Sequence, residues 1–126
     1  MKHPISPRSG PIPKGPYTPG IVASGRLLFV SGQLPIDPST NELVDGPLET
    51  QVRQAIANVQ AVVDTAGGSL SGIVKVNVYL RDIADGPRVN EIYAQSFPEP
   101  YPARTTTQSP LPRGAAIEID AVVSLE

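Results

Sequence analysis

The chain has 126 residues, which suits a single domain spanning residues 1–126, and its formal net charge of −2 is not the basic balance expected of a nucleic-acid binder. It contains no cysteine, which excludes a disulfide framework, a thiolate nucleophile and a cysteine-ligated zinc site. Its only histidine, His3, lies in a proline-rich N-terminal stretch, so neither a Ser-His-Asp triad nor a histidine metal site is expected.

Residues 1–16 are predicted to form a proline-rich N-terminal arm. Six of the fifteen prolines fall between residues 4 and 19, which favours an extended segment without a helix. The arm lacks the hydrophobic centre of a secretory signal, and no apolar run in the chain approaches the roughly 20 residues that cross a membrane. We therefore expect a cytoplasmic protein without a membrane partner.

Residues 20–47 predict two strands followed by a turn-rich connection. The apolar stretch 20–32 is interrupted at Ser24 and Gly25, which indicates two strands joined there. Residues 35–47 then carry several turn-forming residues, which are Pro35, Asp37-Pro38, Asn41 and Gly46-Pro47.

A helix of about five turns is predicted for residues 47–66. Pro47 suits the first helical position, and Asp45 or Gly46 can serve as its cap. The glycines at 67–68 end the helix. Its apolar residues recur at helical spacing and predict one buried face: Val52, Ala55, Ile56, Val59, Val63 and Ala66.

A strand and a shorter helix come next. Residues 73–80 alternate strictly, which is typical of a strand, and a helix is predicted for 86–97. This helix opens with a cap followed by proline at 85–87, and the prolines after residue 97 end it. The apolar face of the strand consists of Val74, Val76, Val78 and Leu80.

The C-terminal part predicts two further strands, 103–108 and 115–124, joined as a hairpin by residues 109–114. The order ββ-α-β-α-ββ favours the α+β class, with two helices packed on one face of the sheet. The other face meets either water or another subunit, and both remain open. On the last strand, Ile117, Ile119, Ala121 and Val123 are expected to face the helices, opposite Ala116, Glu118, Asp120 and Val122.

Pairing within this hairpin places Arg104 opposite Glu118 or Ile119, depending on a slip of one residue. If Glu118 is the partner, a guanidinium and a carboxylate lie side by side on the face away from the helices. The simpler interpretation, favoured on these residues alone, is a cross-strand ion pair worth up to about 1 kcal/mol. The alternative is a site in which Arg104 clamps a substrate carboxylate and Glu118 handles a proton.

Three more polar residues stand out, although each has an ordinary structural role as its default. Tyr17, held between prolines, is typical of a packing anchor, and Asn90 is typical of a solvent-facing helix position. Ser31 follows an apolar strand without a G-x-S-x-G elbow, so a hydrolase-type nucleophile is not expected. No phosphate-binding glycine motif is present either.

Several segments, taken in order, resemble the RidA (YjgF) family. They are residues 15–19 (GPYTP), 29–38 (FVSGQLPIDP), 89–94 (VNEIYA), and 101–106 (YPARTT) with 111–121 (LPRGAAIEIDA). The helical segment 51–58 is also similar. The resemblance covers nearly the whole chain, and the pattern P-A-R-[ST] followed by L-P-x-x-x-x-I-E-I-[DE]-A is fairly specific.

The resemblance implies a chorismate-mutase-like fold assembled as a homotrimer, with clefts built by two chains. It implies hydrolysis of reactive 2-imino or enamine acids, such as 2-iminobutanoate and 2-iminopropanoate, to 2-keto acids and ammonia, without a cofactor or metal. By position, Arg104 would bind the substrate carboxylate, and Glu118 would orient and activate the attacking water. Tyr17, Ser31, Asn90 and Thr106 would line the cleft.

The chain departs from the family pattern at two places. Many relatives carry cysteine where this chain has Thr106, and residues 107–110 form a shorter segment with an unusual Pro110. The preferred substrate is therefore open. The alternatives are a pathway-specific enamine deaminase of the aminomuconate or aminoacrylate type, or a non-catalytic trimeric binder of small carboxylates. The presence of both Arg104 and Glu118 favours catalysis, because a carboxylate binder needs only the arginine.

Overall fold

The computed structural model of the protein describes residues 2–126. In chain order, its elements are β1 (Lys2–Ile5), β2 (Gly20–Ala23), β3 (Leu27–Gln33), β4 (Ile36–Asp37), β5 (Glu42–Leu43), α1 (Leu48–Thr65), β6 (Ile73–Leu80), α2 (Gly86–Ser96), β7 (Ala103–Gln108) and β8 (Ile117–Ser124). Short 3-10 turns occupy Leu70–Gly72, Ile83–Asp85 and Pro112–Gly114.

Four strands form the main sheet, in the order β3-β8-β6-β7. Strand β8 runs antiparallel to both of its neighbours, whereas β7 runs parallel to β6 at the edge. The helices α1 and α2 bury their apolar sides against one face of this sheet, in a single core. The predicted α+β class, a mixed sheet with two helices on one face, is confirmed. Strands β1 and β2 form a separate antiparallel ribbon, as do β4 and β5.

Helix α1 forms because its apolar residues share one side of the helix. All of the predicted stripe except Ala66 is buried, since Ala66 lies at the exposed C-cap. The helix begins one residue later than predicted, with Pro47 as its N-cap and no side chain completing that cap. Gly67, with φ of +82°, ends the helix in the left-handed conformation that glycine adopts most readily.

The predicted alternation of β8 is confirmed. Ile117, Ile119 and Val123 are fully buried under the helices, and Glu118 and Asp120 lie on the other face, partly exposed. The prediction of which β6 side chains face the core is wrong at Ile73 and Val74. A β-bulge between Ile73 and Lys75 inserts one extra residue, so that Ile73 faces the core in place of Val74.

The predicted hairpin between the last two strands is wrong. Strand β7 pairs in parallel with β6, which places Arg104 opposite Val76, while Glu118 of β8 lies opposite Tyr79. Strand β6 therefore separates the two strands. The physical reason is burial: β8 is apolar enough for the centre of the sheet, whereas the polar β7 suits an edge. Helix α2 supplies the crossover that a parallel pair requires.

The N-terminal arm contains no helix over residues 2–16, as predicted, but it is not extended chain alone. Its first residues form β1, which pairs with β2. The arm is therefore anchored at its start, before it crosses the molecule. No helix in the described part of the chain is long and apolar enough to cross a membrane.

Ile119→Ala tests the central position of β8. Ile119 has 0% of its surface exposed, so its truncation should lower the free energy of unfolding by about 2–5 kcal/mol. Ile12→Ala is the matched control, because Ile12 is 84% exposed and its truncation should change stability by less than about 0.5 kcal/mol. Urea denaturation measures both values. Similar losses for the two variants would contradict the placement of β8.

Candidate active site

Arg104 lies on the helical side of the sheet. It shares a face with Val76, its register partner, which is fully buried under the helices. The guanidinium carbon lies 4.9 Å from the ring centre of Tyr93 in α2 and 5.7 Å from that of Tyr17. Both distances are typical of cation–π contacts. The expectation that Arg104 and Glu118 lie side by side away from the helices is therefore wrong.

Arg104 has no negatively charged partner within the described chain. None of the ion pairs among residues 2–126 involves it, and its buried Nη1 has no hydrogen-bond partner there. Burial lowers the pKa of Arg104 from its ordinary value, and Tyr93 and Tyr17 act in the opposite direction. An arginine stays charged near neutral pH despite such a shift. A charged, partly buried donor without an acceptor is suited to binding an anion.

Asn90 and Thr106 lie with Arg104 around one cavity of about 240 Å³. Thr106 follows Arg104 by two residues along β7, so both point to the same side of the strand. Asn90 comes from the second turn of α2. Three of the predicted site residues therefore share one cavity.

The segment 15–18 brings Tyr17 to Arg104. The Tyr17 amide donates a hydrogen bond to the Gly15 carbonyl at 2.9 Å, which makes a tight turn. The Thr18 amide donates to the Pro102 carbonyl at 3.1 Å, and the Thr18 hydroxyl donates to the Tyr101 carbonyl. These bonds tie the arm to the residues just before β7. As a result, Tyr17 is held against Arg104.

Glu118 lies on the other face of the sheet, against a bulge in β3. The bulge falls between Val30 and Gln33 and leaves both Ser31 and Gly32 exposed. A methyl group on Gly32 would clash with Glu118 Oε2, so only glycine allows the carboxylate to lie there. Glu118 and Ser31 therefore belong to one surface, separate from the cavity that Arg104 lines.

Asp120 is the neighbouring carboxylate on this face, and it is already engaged. It accepts hydrogen bonds from Asn77 Nδ2 at 2.8 Å and from the Tyr79 hydroxyl at 3.0 Å. The bond to Asp120 is the main reason that the pKa of Tyr79 is raised, followed by burial and by the charges of Asp120 and Glu118. No hydrogen bond or ion pair within residues 2–126 holds the Glu118 carboxylate. Of these two carboxylates, Glu118 is the one free to act on a bound molecule.

The predicted site residues thus fall into two groups. Asn90, Arg104 and Thr106 line the cavity on the helical side, with the Tyr17 ring against Arg104, and Ser31 and Glu118 lie on the opposite face. A single chain does not bring the two groups together. In the described part of the chain, no three His, Cys, Asp or Glu side chains are grouped so that they could hold a metal ion.

Sequence reasoning missed two residues that shape these groups. Tyr93 supplies the ring nearest to Arg104. Its place in the sequence of α2 indicates only a buried residue of a helix, without a role beside Arg104. Its hydroxyl is buried without a hydrogen-bond partner among residues 2–126, and burial raises its pKa. Gly32 makes room for Glu118 through a β-bulge, and the only local signal of that bulge is the glycine itself within the strand.

Comparison with known proteins gives consistent matches along the chain. Residues 8–125 match a family model described as Endoribonuclease L-PSP. A RutC family protein of Pyrococcus horikoshii is 44% identical over 127 residues, which is 100% of both chains. A 2-iminobutanoate/2-iminopropanoate deaminase of Dermatophagoides farinae is 37% identical over 97% of this chain and 95% of its own. The solved structure of RidA from the Antarctic bacterium Psychrobacter matches with a TM-score of 0.76 and 37% identity, covering 97% of this chain and 98% of that one.

Tyr93→Phe tests the unpaired hydroxyl beside Arg104. Leaving a buried hydroxyl without a partner costs about 1–3 kcal/mol, so its removal should leave the free energy of unfolding unchanged or raise it. Tyr79→Phe is the matched control. It removes a hydroxyl that donates to Asp120, and it should lower stability by up to about 1 kcal/mol. Thermal and urea unfolding compare the two. A greater loss for Tyr93→Phe would show that its hydroxyl has a partner.

Proposed function

The chain belongs to the RidA (YjgF) family, whose model is described as Endoribonuclease L-PSP, and on that basis we propose that it hydrolyses reactive 2-imino acids and their enamine tautomers. The products are 2-keto acids and ammonia. The resemblance that the sequence motifs indicate is thereby confirmed. Support for the activity comes from the relative of Dermatophagoides farinae, which is named a 2-iminobutanoate/2-iminopropanoate deaminase. Support also comes from the geometry around Arg104.

The observation that carries the proposal is the unpaired Arg104. Its guanidinium is held by two aromatic rings, and no carboxylate of residues 2–126 neutralises it. A planar guanidinium binds a carboxylate through two parallel N–H···O bonds, which fixes both position and orientation. In the proposed reaction, Arg104 binds the carboxylate of the imino acid. Asn90, Thr106 and Tyr17 complete the surface around it.

Besides binding of the substrate carboxylate, the proposed reaction requires only a positioned water and a base. The carbon of a protonated imine is already electrophilic, so a positioned water can attack it. Glu118 takes a proton from this water as its oxygen bonds to the imine carbon. Glu118 then returns this proton to the amine of the carbinolamine, the C–N bond breaks to release ammonia, and the hydroxyl loses its proton as the carbon becomes the ketone of the product. Water is the only co-reactant.

We further propose that the reacting groups come from two chains of a homotrimer. Arg104 and Glu118 lie on opposite faces of the sheet in one chain, and a second copy is needed to place them together. The face that carries Glu118 also carries Phe29, which is 70% exposed, and exposed side chains of this size are typical of an interface. Closed cyclic symmetry would repeat the same cleft three times. The cytoplasmic location stays a prediction.

Arg104→Ala and Glu118→Gln test the two roles. Loss of Arg104 should lower kcat/KM about 30-fold or more, because the substrate carboxylate loses a charged partner. Glu118→Gln keeps the shape beside Gly32 and should lower kcat by roughly 10²–10⁴-fold, as expected for a lost general base. The readout is competition between the protein and semicarbazide for 2-iminopropanoate and 2-iminobutanoate generated in situ by an amino-acid oxidase.

Arg53→Ala and Glu91→Gln are the matched controls, because both side chains are exposed on the helices. They should retain wild-type activity. Hydrolysis only of aminomuconate-type or aminoacrylate-type enamines would support the pathway-specific alternative. Binding of 2-keto acids without hydrolysis of any imine would favour the non-catalytic binder, and cleavage of RNA would favour the activity in the family description.

Mixing the two inactive variants tests the shared site. If Arg104 and Glu118 come from different chains, hybrids of Arg104→Ala and Glu118→Gln contain some clefts with both native groups. Random assembly in equal amounts should restore roughly a quarter of wild-type activity, while the mass stays that of a trimer by light scattering. Hybrids formed by co-refolding that show no recovery would place both groups of a site in the same chain.

A further inference from the structure

A second cavity lies where the start and the end of the described chain meet. Its volume is about 540 Å³, within the 300–1,000 Å³ typical of sites for small organic molecules. Its walls come from the start of β1, the connection 67–72 between α1 and β6, and residues 124–126 at the end of β8. It shares no lining residue with the cavity beside Arg104, and the imine chemistry proposed above does not use it.

Glycines bring the connection 67–72 against the end of β8 and so shape this cavity. A Cβ at Gly72 would lie 2.5 Å from the carbonyl oxygen of Ser124, closer than two such atoms can approach. A Cβ at Gly68 would lie 2.8 Å from the side chain of Leu125. The close approach of the two segments therefore depends on residues without a side chain.

Lys2 brings a positive charge without a negative partner into the cavity. Its Nζ donates a hydrogen bond to the Ile73 carbonyl at 2.9 Å, and an ammonium group has three hydrogens to donate. None of the ion pairs within residues 2–126 includes Lys2. The side chain is partly buried, and this burial lowers its pKa from the ordinary value. An anion beside the ammonium would favour the charged form that burial disfavours.

The other polar groups of the cavity do not cancel the charge of Lys2. Ser69 and Ser71 share a hydrogen bond of 2.7 Å between their hydroxyls, so one of the two hydroxyl hydrogens is left for another acceptor. Among the described lining residues, Glu126 is the only acidic one, and Arg26 lies 3.0 Å from its carboxylate. An ammonium and a hydroxyl hydrogen are thus available to an anionic ligand.

We propose that this cavity binds the oxyanion group, phosphate or carboxylate, of a small organic molecule, with Lys2 and the serine hydroxyls as donors. A lysine ammonium is a compact charge that binds an oxyanion without requiring the planar geometry of an arginine pair. Leu125 and Pro100 line the same cavity and offer apolar surface to the rest of the molecule. The volume equals roughly 18 water molecules at about 30 Å³ each, so an anion with a chain of a few carbon atoms fits.

Butyl phosphate and pentanoate are the probes that test this site in the full chain. The readout is NMR of the protein with lysine isotopically labelled at its ε carbon, and the spectrum of Lys2→Arg identifies the Lys2 signal. We expect a saturable shift of that signal and a rise in the pKa of Lys2. The probe that binds more tightly identifies the ligand as a phosphate or a carboxylate. Lys14, an exposed lysine of the same arm, should show no saturable shift. Absence of a saturable shift at Lys2 with both probes overturns the proposal.

Variants in an Arg104→Ala background separate this site from the proposed active site, because the other anion-binding arginine is then absent. Calorimetry measures the Kd of the tighter probe. Lys2→Met should weaken binding about 10-fold or more, whereas Lys2→Arg keeps the charge and should stay within about threefold. Lys14→Met is the matched control and should leave the Kd unchanged. No binding in the Arg104→Ala protein, or equal affinity in folded Lys2→Met, would overturn the proposal, and both results leave imine hydrolysis by the wild type to its own test.

Discussion

The guanidinium of Arg104, held between two tyrosine rings without a carboxylate, is the interaction on which the candidate site depends. Cation–π contacts contribute about 0.5–2 kcal/mol each, whereas taking an unpaired charge out of water costs several kcal/mol. The rings therefore orient the charge without neutralising it. In the proposed function, the substrate carboxylate supplies the missing negative charge. Contacts at distant parts of the sequence fix the two rings, since Tyr17 lies in the N-terminal segment and Tyr93 stacks on Phe97 at the end of α2.

The order of the strands in the sheet explains why Arg104 and Glu118 of one chain lie apart. Strand β8 is central and has two different faces, of which one builds the core and the other carries Glu118. Strand β7 lies at the edge, and its Arg104 points to the helical side. Since side chains on opposite faces of a sheet cannot meet, Arg104 and Glu118 of one chain cannot contact the same small molecule. The proposed two-chain cleft agrees with this topology and with the exposed face that carries Phe29.

Local patterns in the sequence predicted the existence of the main elements but not their pairing. The stripe of α1 and the alternation of β8 are properties of neighbouring residues, and both are confirmed. The supposed hairpin failed because pairing partners depend on burial across the whole sheet, which places polar β7 at an edge. The bulge in β6 shifts register without a sequence signal, and the bulge in β3 has only Gly32 as its signal. The family motifs indicate Arg104 and Glu118, but their placement on opposite faces depends on the pairing of the strands.

The surroundings of Arg104 and of Glu118 also differ in the sequence separation between the elements that build them. Strand β6, helix α2 and strand β7 follow one another, so the cavity around Arg104 is built mostly from one continuous βαβ unit. Strand β3 pairs with β8 across nearly the whole sequence, and Glu118 meets Gly32 only when that pair closes. Distant pairings carry a larger chain-closure entropy and slow folding, whereas local units assemble early. We therefore expect the pairing that places Glu118 beside Gly32 to carry the larger closure entropy, because it joins residues far apart in the sequence.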